Sequence, residues 1–122
     1  MIKILLVDDE IYARDNMARL IQRKGFEVCV AGSADECLKA LKEESPDVVF
    51  LDIMLPDLDG DHLFHYIKEI NPRAVIYFIT GSGTIFTEAH AKEMGADGYM
   101  QKPVYVENLF ALLDDIKIKL KG

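Results

Sequence analysis

Short apolar runs alternate with amphipathic stretches along the whole chain, and this alternation limits the folds that the chain can adopt. The pattern is typical of a parallel sheet with helices on both faces, because each buried strand is followed by a helix that returns the chain across the sheet. A helical pattern follows each run, so we expect a single α/β domain over residues 1–122. The predicted strands cover residues 2–7, 26–31, 48–51, 74–79 and 99–101.

Each helical stretch carries apolar residues spaced about three and four apart, which places them on one helix face. The predicted buried stripes are Ala13, Met17, Leu20 and Ile21 in the first helix, Ala34, Cys37, Leu38 and Leu41 in the second, Leu63, Tyr66, Ile67 and Ile70 in the third, and Leu109, Leu112, Leu113 and Ile116 in the fifth. The fourth stretch, roughly residues 86–94, has only Phe86, Ala89 and Met94, so we expect a marginal helix there. At the start of the second helix, Ser33 and Glu36 have the spacing of a capping box.

Acidic residues follow two of the predicted strands. Asp8 and Asp9 come directly after the first strand, and Asp52 comes directly after the third. Because the carboxyl ends of parallel strands meet at one edge of a sheet, we expect these carboxylates to lie together. Like charges at short range are unfavourable without a cation, and carboxylate oxygens are ligands that Mg²⁺ prefers. The sequence therefore predicts a magnesium site at this edge.

The fourth and fifth strands bring a hydroxyl and an ammonium group to the same edge, from Thr80 and Lys102. Together with Mg²⁺ these groups suit phosphoryl transfer: the metal and the ammonium neutralise charge, the hydroxyl donates a hydrogen bond and an aspartate acts as nucleophile. We expect that nucleophile to be Asp52, because it stands alone on the central strand. Asp8 and Asp9 are adjacent and better suited to share a metal.

The chain resembles the receiver domains of bacterial two-component response regulators, of the chemotaxis-regulator type, over essentially its whole length. The resemblance rests on motifs at four strand ends, in the family's order and approximate spacing. These motifs are Val7-Asp8-Asp9-Glu10, Leu51-Asp52-Ile-Met54-Leu-Pro56-Asp-Leu-Asp59-Gly60, Ile79-Thr80-Gly81 and Gly98-Tyr99-Met-Gln-Lys102-Pro103. An aspartate pair alone would be weak support, whereas four matching strand ends are specific.

The resemblance implies a flavodoxin-like, doubly wound sheet of five parallel strands in the order 2-1-3-4-5, with five helices. It also implies that Asp52 accepts a phosphoryl group from the phosphohistidine of a sensor kinase or a phosphotransfer protein. Asp9, Asp52 and the backbone carbonyl of Met54 would bind Mg²⁺, with Asp8 acting mainly through water. Such a domain is a signalling phospho-receiver and not an enzyme in the usual sense, since it catalyses only its own phosphorylation and dephosphorylation.

The family also implies a conformational switch. Thr80 moves toward the phosphoryl group while Tyr99 turns inward, and this changes the face made by the fourth helix, the fifth strand and the fifth helix. A downstream protein, an output domain or a second copy of the chain would bind that face, where Val106 and Phe110 are candidate contacts. The bond before Pro103 is usually cis in the family, which gives this residue a structural role.

Two positions depart from the usual family pattern. Val104 stands where an aromatic residue often follows the proline, which affects local packing and the partner face. Thr80 is followed by the glycine-rich run Gly81-Ser82-Gly83. Ser82 and Met54 occupy variable positions that flank the site, so the lifetime of the phosphoryl group is left open.

Composition limits the partners and the location. A net charge of −7 argues against a nucleic-acid surface, which needs clustered Lys and Arg.

No apolar run approaches the roughly 18 residues that span a bilayer, and the start lacks the pattern of a signal peptide. Cys29 and Cys37 are too widely spaced for a zinc knuckle or a redox motif, which fits a reducing cytosol. We therefore expect a soluble cytoplasmic protein with protein partners and no direct contact with nucleic acid or membrane.

Other functions fit the sequence less well. A receiver fold that works as a phosphorylation-independent adapter would normally lack one of the site residues, and here all are present. A flavin-binding flavodoxin needs Ser, Thr and Gly after the first strand, where this chain has acids. A haloacid-dehalogenase-type phosphatase has a second aspartate where this chain has Met54. His62 and His65 share a helix face but lack a third ligand at a suitable spacing for a metal.

Overall fold

The computed structural model describes residues 1–81 and 86–121, and in these residues five strands form one parallel sheet of order β2-β1-β3-β4-β5. The strand order expected from the resemblance is therefore confirmed. The strands are β1 (Lys3–Val7), β2 (Glu27–Ala31), β3 (Val48–Asp52), β4 (Val75–Thr80) and β5 (Gly98–Gln101). The helices are α1 (Ile11–Arg23), α2 (Ala34–Glu44), α3 (Gly60–Ile70), α4 (Glu88–Met94) and α5 (Val106–Lys121).

Helices cover both faces of the sheet, so the central strands are apolar along their length. Every residue of β3 is buried. One core packs α2, α3 and α4 against the sheet, and the other packs α1 and α5 against the opposite face. Burying one large aliphatic side chain stabilises the fold by about 1.5–3 kcal/mol, so these two cores fix the sheet that carries the polar edge.

The third helix shows a different buried face from the predicted one. Leu63, Phe64 and Ile67 are buried, whereas Tyr66 is 50% and Ile70 is 40% exposed. The prediction of Tyr66 and Ile70 as buried was wrong. Gly60 explains why a different face of α3 is buried. A Cβ at this position would overlap the carbonyl oxygen of Asp52, so the helix starts directly against the end of β3. Phe64 is then turned inward and stacks on Phe78, with ring centroids 5.5 Å apart.

The start of α2 confirms one half of the predicted capping box. The Ser33 hydroxyl accepts a hydrogen bond from the Glu36 backbone N–H at 3.2 Å. The Glu36 carboxylate, however, accepts from the backbone N–H of Gly32 at 3.1 Å, and not from that of Ser33. The reciprocal half was therefore wrong by one residue.

The fourth helix is short, as its thin apolar stripe indicated. It begins at Glu88, two residues later than predicted, and its buried residue is Ala91, while the predicted Ala89 is exposed. A capping box starts the helix: the Thr87 hydroxyl accepts from the His90 N–H, and the His90 ring accepts from the Thr87 N–H at 3.1 Å. Because one buried side chain anchors it, this helix is weakly attached to the core.

The two cysteines are free thiols. Cys37 is fully buried on the inner face of α2, where burial raises the pKa of its thiol to about 12, and Cys29 is half-buried. In the described ranges, none of the helices has the length and the apolar character that a membrane crossing requires.

Candidate functional site

The carboxyl edge of the sheet brings the three predicted acids together. Asp8 and Asp9 follow β1, Asp52 ends the adjacent strand β3, and each offers a carboxylate oxygen within 4.8 Å of the others. Asp8 and Asp52 are only 3% and 4% exposed, whereas Asp9 faces solvent. The donor set is all oxygen and anionic, so these residues fit a hard divalent cation such as Mg²⁺.

Lys102 lies between the two buried acids. Its Nζ atom is 2.9 Å from Asp8 Oδ2 and 2.9 Å from Asp52 Oδ2. The residue follows β5, and its backbone N–H donates to the Thr80 carbonyl at 2.6 Å, which fixes the end of β5 against the end of β4. The next peptide, Lys102–Pro103, is cis, as the resemblance implied. The ammonium thus neutralises part of the charge that gathers at this edge.

Burial and hydrogen bonding oppose each other in setting the site's protonation. Burial raises the pKa of the Asp52 carboxyl, and hydrogen bonds from Lys102 and the Met54 N–H offset part of that rise. For Lys102, burial alone would lower the pKa of the ammonium, but hydrogen bonds to Asp8 and Asp52 outweigh it and the pKa is raised. Lys102 therefore stays cationic, while burial makes the ionised form of Asp52 unfavourable.

The loop after β3 wraps around the Asp52 side chain. The Met54 N–H donates to Asp52 Oδ1 at 3.0 Å, and the Gly60 N–H donates to the Ile53 carbonyl at 2.7 Å, which closes the loop at its base. Met54 itself is 61% exposed and lines the same cavity as the acids. The loop therefore brings the Met54 backbone beside the acidic cluster.

Thr80 ends β4 with its side chain buried. Its hydroxyl donates to the Tyr99 phenol oxygen at 3.0 Å, and the Tyr99 hydroxyl donates to the Phe86 carbonyl at 3.4 Å. The rings of Tyr99 and Phe86 stack with centroids 6.5 Å apart. Thr80 is thereby linked through Tyr99 to the segment that precedes α4.

The acids lie at one end of a cavity of about 640 Å³. Its other walls are mostly apolar and come from α1, from Val104 in the segment before α5 and from Leu109 in α5. The cavity has room for a phosphoryl group and part of its donor. Ser82, at the predicted variable position, lies outside the described residues.

Two acidic features lie near the site but apart from it. Asp59, Asp61 and His62 have ligand atoms within 4.8 Å of one another at the exposed start of α3. Asp57, in the loop after β3, accepts hydrogen bonds from backbone N–H groups at the start of α2. Contacts between residues 22 and 23 positions apart leave no local signal, so sequence reasoning missed this role.

Comparison with known proteins agrees with this geometry. The model of the response regulator receiver domain family matches residues 4–114. The transcriptional regulatory protein TrcR of Mycobacterium tuberculosis is 34% identical over 112 residues, which are 92% of this chain and 44% of TrcR. The chain spans about a quarter to a half of the length of the curated relatives it matches.

Solved structures extend the likeness to the whole fold. The receiver domain of NtrX from Brucella abortus is 36% identical with a TM-score of 0.84, covering 92% of this chain and 95% of that one. A response regulator receiver domain protein from Clostridium thermocellum is 32% identical with a TM-score of 0.87 over the full length of both chains. Because the family model matches most of the chain and these relatives share its fold from end to end, the chain belongs to the response regulator receiver domains, the phospho-accepting domains of two-component signalling systems.

Proposed function

We propose that Asp52 is the residue that accepts the phosphoryl group, with Mg²⁺ held by Asp9, Asp52 and the Met54 carbonyl, and with Asp8 acting mainly through water. The observation that carries the proposal is the position of Asp52, buried at the end of the central strand, beside two further carboxylates and 2.9 Å from the Lys102 ammonium. When bound, Mg²⁺ would neutralise charge on the oxygens of the transferred group.

The donor in this proposal is a phosphohistidine of a sensor histidine kinase or a phosphotransfer protein. A carboxylate oxygen of Asp52 forms a bond to phosphorus while the phosphorus–nitrogen bond of the donor breaks. The electron pair of that bond stays on the imidazole nitrogen, which takes up a proton from solvent. Transfer of this kind depends mainly on position and charge, which the side chains of the site supply.

Lys102 can change its hydrogen-bond partner during phosphoryl transfer. Both oxygens of Asp52 accept hydrogen bonds, Oδ1 from the Met54 N–H and Oδ2 from Lys102. Since Lys102 also contacts Asp8, it can leave Asp52 Oδ2 for an oxygen of the phosphoryl group and still keep one carboxylate partner. Pro103 has a structural role in holding this lysine at the end of β5.

Thr80 and Tyr99 would couple the phosphoryl group on Asp52 to a conformational change in the rest of the domain. If the Thr80 hydroxyl turns to a phosphoryl oxygen, its bond to Tyr99 is lost, and the link to Phe86 changes with it. This would alter the face of α4, β5 and α5, which we propose binds a downstream protein, an output domain or a second copy of the chain. Val106 is 42% exposed on that side, which suits a contact, whereas Phe110 is half-buried beneath Lys24, with 5.0 Å between Nζ and the ring centroid.

In this proposal, residues 1–122 form one cytoplasmic signalling domain that catalyses only its own phosphorylation and dephosphorylation. Incubation with acetyl phosphate and Mg²⁺, followed by intact-mass measurement, tests it. We expect one phosphoryl group on the wild type and none on Asp52→Asn, which keeps the shape of the side chain but lacks the nucleophilic oxygen. A wild type that gains no phosphoryl group would favour the phosphorylation-independent adapter.

A further inference from the structure

The loop that carries Met54 is joined to the start of α2 by one carboxylate. Asp57 Oδ1 accepts from the Ala34 N–H at 2.8 Å, and Asp57 Oδ2 accepts from the Asp35 N–H at 3.0 Å. In the described part of the chain, the other hydrogen bond that joins residues 54–58 to another element is the one from the Met54 N–H back to Asp52 Oδ1 at the end of β3. The two Asp57 oxygens thus form a fork across two segments that are far apart in sequence.

The fork satisfies backbone donors that a helix leaves free at its start. Asp57 accepts hydrogen bonds from the backbone N–H groups of Ala34 and Asp35, and the Ser33 hydroxyl accepts one from the N–H of Glu36. The positive end of the helix dipole favours an anion at this place. The same two backbone hydrogen bonds lower the pKa of the Asp57 carboxyl, which keeps it ionised and able to accept both hydrogens.

The loop has few other attachments between its two ends. Its base is closed by the Gly60 N–H and the Ile53 carbonyl, Leu55 is buried, and Leu58 packs at the edge of the core. Met54 lies between these anchors with its side chain exposed, and its N–H donates to Asp52 Oδ1, whereas its carbonyl belongs to the next peptide of the loop. The direction of its carbonyl is therefore set by how firmly the rest of the loop is held.

We propose that Asp57 is a positioning residue for the metal site, tying the loop to α2 so that the Met54 carbonyl and Asp52 keep the geometry that Mg²⁺ requires. The inference rests on the proposed function, since it assumes that Mg²⁺ binds at Asp9, Asp52 and Met54. Mg²⁺ demands nearly octahedral ligands at short distances, so small shifts of one ligand weaken binding. Asp57 is not itself a ligand, because both of its oxygens are taken by α2.

The test compares Mg²⁺ affinity by isothermal titration calorimetry in the wild type, Asp57→Asn and Asp35→Asn. Asn keeps one acceptor oxygen but turns an NH₂ group toward the second backbone N–H, so the fork is broken. Asp35→Asn is the matched control, since it removes one carboxylate charge beside the same helix start and leaves the Asp35 backbone N–H in place. We expect Asp57→Asn to weaken Mg²⁺ binding roughly 10-fold, the lower end of the effect of groups that orient metal ligands, and the control to stay within about twofold.

A merely structural cap would lower stability without changing the affinity of the folded protein. The titrations are therefore run at a temperature where circular dichroism shows every variant folded, and amide exchange at Ala34 and Asp35 reports whether the fork is lost. Ala34→Pro provides a second variant, because proline is accepted at the first position of a helix and removes the hydrogen that Asp57 Oδ1 accepts. It too should weaken Mg²⁺ binding.

Wild-type affinity in Asp57→Asn, an equal loss in Asp35→Asn, or unchanged exchange at Ala34 and Asp35 would each overturn the inference. Phosphorylation is not among these readouts, so the two proposals can fail separately. A wild type that binds Mg²⁺ but accepts no phosphoryl group contradicts the proposed function alone. A wild type that binds no Mg²⁺ contradicts both.

Discussion

The Thr80 hydroxyl donates a hydrogen bond to the Tyr99 phenol oxygen across 3.0 Å, joining the end of β4 to a side chain of β5. The Tyr99 hydroxyl in turn donates to the Phe86 carbonyl, just before α4. A change at Thr80 therefore alters the support of this weakly anchored helix. Under the proposed function, we expect a phosphoryl group on Asp52 to change the surface of α4 through these two hydrogen bonds.

Tyr99→Phe removes this link while it keeps the ring. We expect the free energy of unfolding to fall by about 1 kcal/mol, the usual net value of one such hydrogen bond. Phosphorylation of Asp52 should persist, while the chemical-shift changes that beryllofluoride induces in α4 should become smaller. Tyr66→Phe is the matched control, because Tyr66 is 50% exposed on α3. Equal responses of α4 in the wild type and in Tyr99→Phe would exclude the tyrosine from the switch.

Lys102→Ala leaves the Asp8 and Asp52 carboxylates buried without their cation. We expect the protein to remain folded but to lose about 3 kcal/mol in EDTA, as when one partner of a buried ion pair is removed. Lys119→Ala, which breaks an exposed pair with Asp97 at 3.9 Å, should cost less than about 1 kcal/mol. Urea unfolding with and without Mg²⁺ measures both variants. Mg²⁺ should stabilise Lys102→Ala more than the wild type, and an equal gain would contradict this view of the charge balance.

The raised pKa of Asp52 predicts a pH dependence without metal. Between its ordinary value of 3.8 and its folded value, the folded protein binds more protons than the unfolded chain. The slope is therefore negative, so this contribution to stability is present at low pH and is lost as the pH rises through that interval. Urea unfolding in EDTA from about pH 4 to about pH 7 should show a loss in the wild type that Asp52→Asn lacks. Parallel curves for the two proteins would mean that burial does not control this carboxyl.

Asp9→Ala tests the repulsion among the three acids without removing a partner of Lys102. Asp9 faces solvent, and its loss should raise the melting temperature in EDTA by about 2–4 °C. Mg²⁺ at roughly ten times its Kd should stabilise the wild type by about 1.4 kcal/mol and the variant much less. Differential scanning calorimetry at neutral pH decides the matter. A variant that melts below the wild type in EDTA, or gains as much from Mg²⁺, would contradict a shared metal site.

The strand ends were predictable because the sheet imposes a simple rule. An apolar run that stops at Asp8, Asp52 or Thr80 must leave that polar side chain at the carboxyl edge of a parallel sheet, whatever the loops do. The family resemblance indicates Thr80 and Tyr99 as switch residues, but the hydrogen bond between them depends on how the two side chains turn and was not predicted.

Features that depend on tertiary contacts could not be predicted from the sequence. The apolar spacing of α3 is satisfied by Tyr66 and Ile70 as well as by Phe64, and the contact of Gly60 with the end of β3 decides between them. The bond from Asp57 to α2 likewise joins segments with no local pattern in common. Only packing in three dimensions reveals which of several acids holds the loop.

Mapping of the phosphorylated residue tests the central claim most directly. Borohydride reduces an aspartyl phosphate to homoserine, and peptide mass spectrometry then identifies the modified position. After incubation with acetyl phosphate and Mg²⁺, we predict homoserine at position 52 and none when EDTA replaces the metal. Homoserine at Asp8 or Asp9, or an unmodified Asp52 in a protein that has gained a phosphoryl group, would contradict the account.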